Sequence, residues 1–150
     1  MHPIRAAGAG AAAATVWGLL EPLDQRLLRC HYSDIALLGK TFTRGSAWRP
    51  LGFALHAANG AMFGLVYRAV HRRLGGDPRR LALVLALAEH VSFYPLAALV
   101  DRYHPARGEP GVPPLLTNGR SFAQATVRHA VFGLVLGRLA APRARTPART

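Results

Sequence analysis

Six side chains in this sequence have types and positions suited to chemistry inside a helical bundle: His56, Asn59, Glu89, His90, Arg128 and His129. Each interrupts a run that is otherwise apolar. Glu89 and His90 sit in the middle of LALVLALAEHVSFYPLAALV, Leu81 to Val100, while Arg128 and His129 sit inside Ser121 to Ala141. An ionised residue at the centre of a membrane helix costs about 2.5 to 3.5 kcal/mol, so Glu89 and Arg128 each require a partner or a water-filled cavity. At about 1.5 Å of rise per residue from one common end, His56 lies roughly 8 Å deep, Asn59 and His129 roughly 12 Å, and Glu89 and His90 roughly 15 Å. Arg128 is slightly shallower than His129. The spacing therefore predicts a polar layer in which Glu89 pairs with Arg128 or with His129.

Three functions suit such a layer. Hydrogen bonds between membrane helices contribute about 0.6 to 2 kcal/mol each and fix register, which makes the layer structural and the chain a non-enzymatic structural or interaction protein; this is the first expectation. Intramembrane Glu and His are also the usual parts of proton relays and small transporters, because imidazole titrates near neutral pH. Third, His56 and His129, each followed by glycine one turn on, have the residue types a bis-histidine b-type haem needs. A metal on His56, Glu89, His90 and His129 has acceptable ligand types but no tight spacing such as HExxH, so no metal and no resident cofactor is expected. No P-loop, dinucleotide-binding glycine pattern, nucleophile elbow or EF-hand is present. The lone Cys30 excludes an intrachain disulfide and a multi-cysteine cluster.

The elements that must position these residues follow from composition. Only 17% of the residues are charged, against roughly 25% in ordinary soluble domains, and 51% are hydrophobic. Four segments suit bilayer crossings, which need about 20 apolar residues: Ile4 to Leu20, Pro50 to Val70, Leu81 to Val100 and Ser121 to Ala141. The expectation is an all-α membrane bundle of four transmembrane helices, one domain over residues 1–141, with a basic disordered tail over 142–150. The first segment is Ala/Gly-rich and follows a single Arg5, so a cleaved signal peptide competes with a retained helix; the retained helix is favoured because no small-x-small cleavage site stands near its end.

Glu21 to Arg49 is too long for a simple turn. Pro22, with Leu23, Leu27 and Leu28 on one face, predicts a short amphipathic helix lying at the interface. Ser33 and Asp34 predict the cap of a second short helix stopping near Gly39. Trp17, Trp48 and Tyr67 fall near segment ends, where aromatic belts sit, and DRYHP at Asp101 to Pro105 is expected to anchor the interface.

The net charge of +12 comes mostly from arginines between the apolar runs, where they meet anionic lipid headgroups. No nucleic-acid partner is expected, since no basic helix with interleaved aromatics appears. Basic residues divide almost evenly between the two sides; the density of HRRLGGDPRR, His71 to Arg80, favours cytoplasmic termini in a multi-pass cell-membrane protein. A homodimer or a membrane-protein partner is compatible with the small size.

An internal repeat bears on packing. HAANGAMFG, His56 to Gly64, and HAVFGLVLG, His129 to Gly137, share the pattern H-A-x-x-G-x-x-x-G. Gly52, Gly60 and Gly64 stack on one helical stripe, as do Gly133 and Gly137, and such small residues let membrane helices approach closely. The pattern predicts two hairpins, segments one with two and three with four, related by a pseudo-two-fold axis along the membrane normal. ALHAANGAMFGLVYRAV together with RHAVFGLVLGRLA resembles the small four-helix integral membrane proteins of bacteria that carry domains of unknown function, and EPLDQR, YSDIALLGK and LVDRYHPAR are similar to their segments. The resemblance covers most of the chain and implies a helical fold in the bacterial inner membrane, with no activity attached.

Overall fold

The computed structural model describes residues 1–141, and the expected basic tail lies outside them. The described residues are all-α: α1 (Pro3–Leu28), α2 (Asp34–Phe42), α3 (Trp48–Leu74), α4 (Pro78–Phe93), a 3-10 turn at Tyr94–Leu96, α5 (Ala97–Tyr103) and α6 (Gly119–Ala140). Each expected apolar segment forms a helix. Side chains satisfy orphan amides at the starts of α2, α4 and α6: Ser33 Oγ accepts from Ala36 N, Asp77 accepts from Arg79 N and Arg80 N, and Asn118 accepts from Arg120 N and Ser121 N.

Three local expectations are corrected. The stretch after Leu20 is not a separate helix, because α1 runs unbroken through Pro22 to Leu28. Pro22 has no N–H to give to the Gly18 carbonyl, so the helix passes through with one backbone hydrogen bond missing. Second, α2 does not stop near Gly39. It continues to Phe42, and Gly39 is a contact point where a Cβ would fall on the Trp48 carbonyl oxygen. Third, Leu81 to Val100 is broken at Pro95, where the helix tightens into the 3-10 turn before resuming as α5.

Close helix pairing follows the small residues. α1 packs along α3, and α4 along α6; α1 and α6 join the two pairs, whereas α3 and α4 scarcely touch. At the first pair, a Cβ on Gly10 would meet the Gly60 carbonyl, and one on Gly60 would lie 2.5 Å from Ala14 Cβ. Gly64 faces the Ala6 carbonyl and Gly52 faces the Ile35 carbonyl of α2. At the second pair, Gly133 and Gly137 lie against the backbone of Leu83 and Arg79, with added Cβ atoms 2.8 and 2.7 Å from their Cα atoms. The N-terminus, the α3–α4 turn and the end of α6 share one end of the bundle, since Arg68 Nε donates to the Met1 carbonyl at 2.8 Å and Gly137 lies on Arg79.

The interior is rich in small residues, and many large apolar residues lie on the exterior. Ala6, Ala13, Ala14, Ala82 and Ala86 are buried, while Leu19, Met62, Val84, Val91, Leu99 and Leu134 are exposed. Trp17 and Tyr67 depart from the expected aromatic belt: both are buried, Trp17 at the centre of the core and Tyr67 with its hydroxyl donating to the Pro78 carbonyl. The DRYHP segment is likewise an internal brace. Asp101 accepts from Leu115 N and Leu116 N, and the buried His104 reaches the Leu37 carbonyl at 2.9 Å. Only Arg102 and the exposed Tyr103 keep an outward, stacked arrangement.

Candidate functional site

Arg128 and His129 are neighbours on α6, so their side chains diverge by about 100°. That divergence splits the expected single layer into two. Arg128 turns toward α1 and α2, where its guanidinium forks onto both oxygens of Asp24, reaches Asp34 Oδ2 at 2.7 Å and Glu21 Oε1 at 3.4 Å, and donates to the Tyr32 carbonyl at 3.1 Å. The remaining acceptors are also served. Glu21 accepts from Ser33 Oγ and Asp34 N, Asp24 from Gln124 Nε2, and Asp34 from the Tyr32 hydroxyl. Burial pushes the Asp34 carboxyl up, but Arg128 and the Tyr32 hydroxyl outweigh it and hold the group below the ordinary aspartate value. The expectation that Arg128 partners Glu89 is overturned: the carboxylates come from the segment between the first two apolar runs.

Glu89 takes the other expected partner. His129 Nε2 lies 3.0 Å from Glu89 Oε2, and His129 Nδ1 lies 2.7 Å from the Ala125 carbonyl, which can only accept. Nδ1 therefore carries hydrogen, and one further proton is shared between Nε2 and the Glu89 carboxylate. His90 stacks on His129 with ring centroids 4.7 Å apart. Its Nε2 meets Thr126 Oγ1 at 2.9 Å; the threonine hydroxyl hydrogen is already given to the Phe122 carbonyl, so Nε2 is the donor. His56 Nε2 donates to the Ala14 carbonyl at 3.1 Å. In neutral rings that assignment leaves Nδ1 of both His56 and His90 as an acceptor.

Trp17 ties these rings together. It lies edge-on to His56 and to His129, with centroids 5.2 and 5.0 Å away, and it packs on Phe132. Its indole Nε1 is buried and makes no hydrogen bond among the described residues. Trp17 carried no signal of this role in the sequence beyond being an aromatic in an Ala/Gly run. This arrangement does not suit a haem between His56 and His129: both nitrogens of His129 are engaged, and the indole stands beside both rings. Among the described residues no group of three or more His, Cys, Asp or Glu side chains is arranged to hold a metal ion.

His56, Asn59, Glu89, His90 and His129 all line one cavity of about 350 Å³, bounded by α1, α3, α4 and α6 and closed above by α2, α5 and Leu115. This is within the range of about 300 to 1,000 Å³ typical of small-molecule sites. The cavity lies where α3 and α4 fail to meet, and exposed Asn59 and Phe93 flank it. Arg128 is not among its walls, although its partner Asp34 is. The described residues thus form an all-α bundle with a buried ionic cluster around Arg128 and a separate ionisable cleft. Comparison with protein-family models, with curated proteins and with solved structures finds no match to this chain.

Proposed function

We propose that this chain is a multi-pass membrane protein that binds a small lipid-soluble molecule in the cleft between α3 and α4. The membrane part of the reading rests on the inverted packing. Water-soluble bundles bury mainly Leu, Val and Phe, whereas this one buries many Ala and Gly around Trp17, Tyr67, Phe132 and Leu136 and turns much of its large apolar surface outward. Pro78–Tyr103 is by itself long and apolar enough to cross a bilayer, with an 18-residue stretch of mean hydropathy 1.7. α1, α3 and α6 complete four crossings by pairing through their small-residue faces with neighbours, and the shared end of the N-terminus, the α3–α4 turn and the end of α6 agrees with an even number of crossings.

The binding part rests on one observation: the Glu89–His129 pair borders open space. A polar layer that served only as glue would be filled and its charges paired, as those of the Arg128 cluster are. Here three histidines and a glutamate surround a cavity instead. The structural role expected from the sequence suits Arg128, and the ligand role suits the cleft.

Two measurements test this. The protein should stay in membranes through alkaline carbonate extraction; release into the aqueous phase as a monomer overturns the membrane reading. In a Cys30→Ala background, Asn59→Cys should react with membrane-permeant N-ethylmaleimide and be protected from a bulky sulfonated maleimide. An unreactive Asn59→Cys in folded protein shows that the cleft is closed.

A further inference from the structure

The cleft has a chemical bias that narrows its ligand, given the binding role just proposed. Its polar groups stand on two opposite walls. α3 contributes His56 and Asn59, α4 contributes Glu89 and His90, and Trp17 and Phe132 of α1 and α6 lie between them. At the two walls the unused hydrogen-bonding capacity is mostly acceptor capacity. His56 and His90 each spend Nε2–H on a fixed protein oxygen, which leaves Nδ1 to accept. Glu89 spends Oε2 on His129 and makes no bond through Oε1 among the described residues; the donors left are the Asn59 amide and the indole Nε1–H of Trp17. A ligand seated here must donate toward both walls and be flat and apolar between them.

From this pairing of acceptors across an aromatic floor we propose that the cleft is a binding site for a lipid-soluble hydroquinone, a ring with hydroxyl groups at opposite ends and an apolar tail. One hydroxyl donates to His56 Nδ1 and the other to the Glu89–His90 wall. The ring lies against Trp17 and Phe132, and the tail leaves between α3 and α4, where the helices do not close. The oxidised quinone has the same shape and no donors. It would set its carbonyl oxygens against Glu89 Oε1 and the two Nδ1 lone pairs, so the site discriminates against it. An apolar slot alone would take both forms equally.

The test uses full-length Trp48→Phe protein in lipid nanodiscs, in which Trp17 is the only tryptophan, titrated under nitrogen with 2-decylhydroquinone. Saturable quenching of Trp17 fluorescence is expected, with affinity weaker by about tenfold or more for the dimethyl ether, which keeps the shape and loses both donors. His56→Phe should bring the hydroquinone down toward the ether while leaving the ether unchanged. Equal affinities for hydroquinone and ether overturn the proposal in favour of a plain apolar slot. Displacement of the hydroquinone by decylammonium at lower concentration overturns it in favour of a cation site. If none of these probes binds while Asn59→Cys labelling shows the cleft open in the membrane, the hydroquinone assignment fails and the broader binding role stands.

Discussion

His129 Nε2 and Glu89 Oε2 lie 3.0 Å apart across the α4–α6 contact, and the residue before His129 takes no part in that pair. Arg128 points into the opposite half of the bundle, where it binds Asp24, Asp34 and Glu21. Two adjacent residues thus serve two different structures. One closes α1, α2 and α6 into a rigid corner, and the other holds a proton beside an open cleft.

The rigid corner should be intolerant of change. Arg128 is 2% exposed, and its removal leaves three carboxylates facing one another without a cation. Breaking a buried pair by deleting one partner costs about 3 to 5 kcal/mol, so Arg128→Leu should lower stability by that amount in unfolding titrations of detergent-solubilised protein. Arg128→Lys should recover only part of it, because a single ammonium cannot fork onto Asp24 while also reaching Asp34. Full stability of the lysine variant would show that charge alone is needed.

A double-mutant cycle should separate the two networks. Glu89→Gln combined with Arg128→Leu is expected to be additive, since the two residues share no contact. Glu89→Gln combined with His129→Leu should show coupling of about 0.2 to 1 kcal/mol, the range for a pair with a partly exposed member. Glu89 is 34% exposed, which keeps that value low. Coupling between Glu89 and Arg128 would mean that the guanidinium has a second orientation.

The small-residue faces give a prediction with an internal control. A methyl group on Gly60 must displace both Ala14 Cβ and the Gly10 carbonyl oxygen, 2.5 and 2.6 Å from the new Cβ. Overpacking of this kind costs about 1 to 3 kcal/mol, so Gly60→Ala should destabilise by that much. Gly8 lies in the same helical pair with nothing within 4 Å of an added Cβ, and Gly8→Ala should be neutral or stabilising by up to about 1 kcal/mol. Equal effects at the two positions would remove close α1–α3 packing as the explanation.

Legibility in the sequence divides along physical lines. Helix existence was readable because apolar length and the cap at Ser33 are local signals. The H-A-x-x-G-x-x-x-G stripes pointed to glycines that the structure places against neighbouring backbones, because a period of four survives any arrangement of partners. The partner of Arg128 was not readable, since its carboxylates lie 94 to 107 residues away and belong to a segment whose leucines suggested a separate surface helix. A signal did exist: three of the chain's seven acids, Glu21, Asp24 and Asp34, fall within one short stretch of a strongly basic protein. Trp17 was misplaced because its position near a segment end outweighed the Ala/Gly face on which it lies. The cleft itself depends on α3 and α4 failing to pack, and adjacent helices joined by a short turn give no sequence sign of that.

The turn between α3 and α4 supplies a pH prediction. Asp77 Oδ1 accepts from Arg79 N and Arg80 N, each at 2.8 Å, at the start of α4. The backbone bond from Arg80, joined by that from Arg79 and by the two arginine charges, holds this carboxyl below the ordinary aspartate value. A carboxyl with a depressed folded value stabilises the helix start fully above the unfolded value of about 3.9, and that contribution fades as pH falls through the lower folded value. Protection of the Arg79 and Arg80 amides from hydrogen exchange should therefore hold steady from neutral pH to about pH 4 and decline on further acidification, after correction for intrinsic exchange. Asp77→Asn keeps an oxygen that accepts the same bonds but cannot titrate, so its protection should be flat over the same window. An equal acid-induced decline in the asparagine variant would assign the change to another group and leave the Asp77 cap independent of pH.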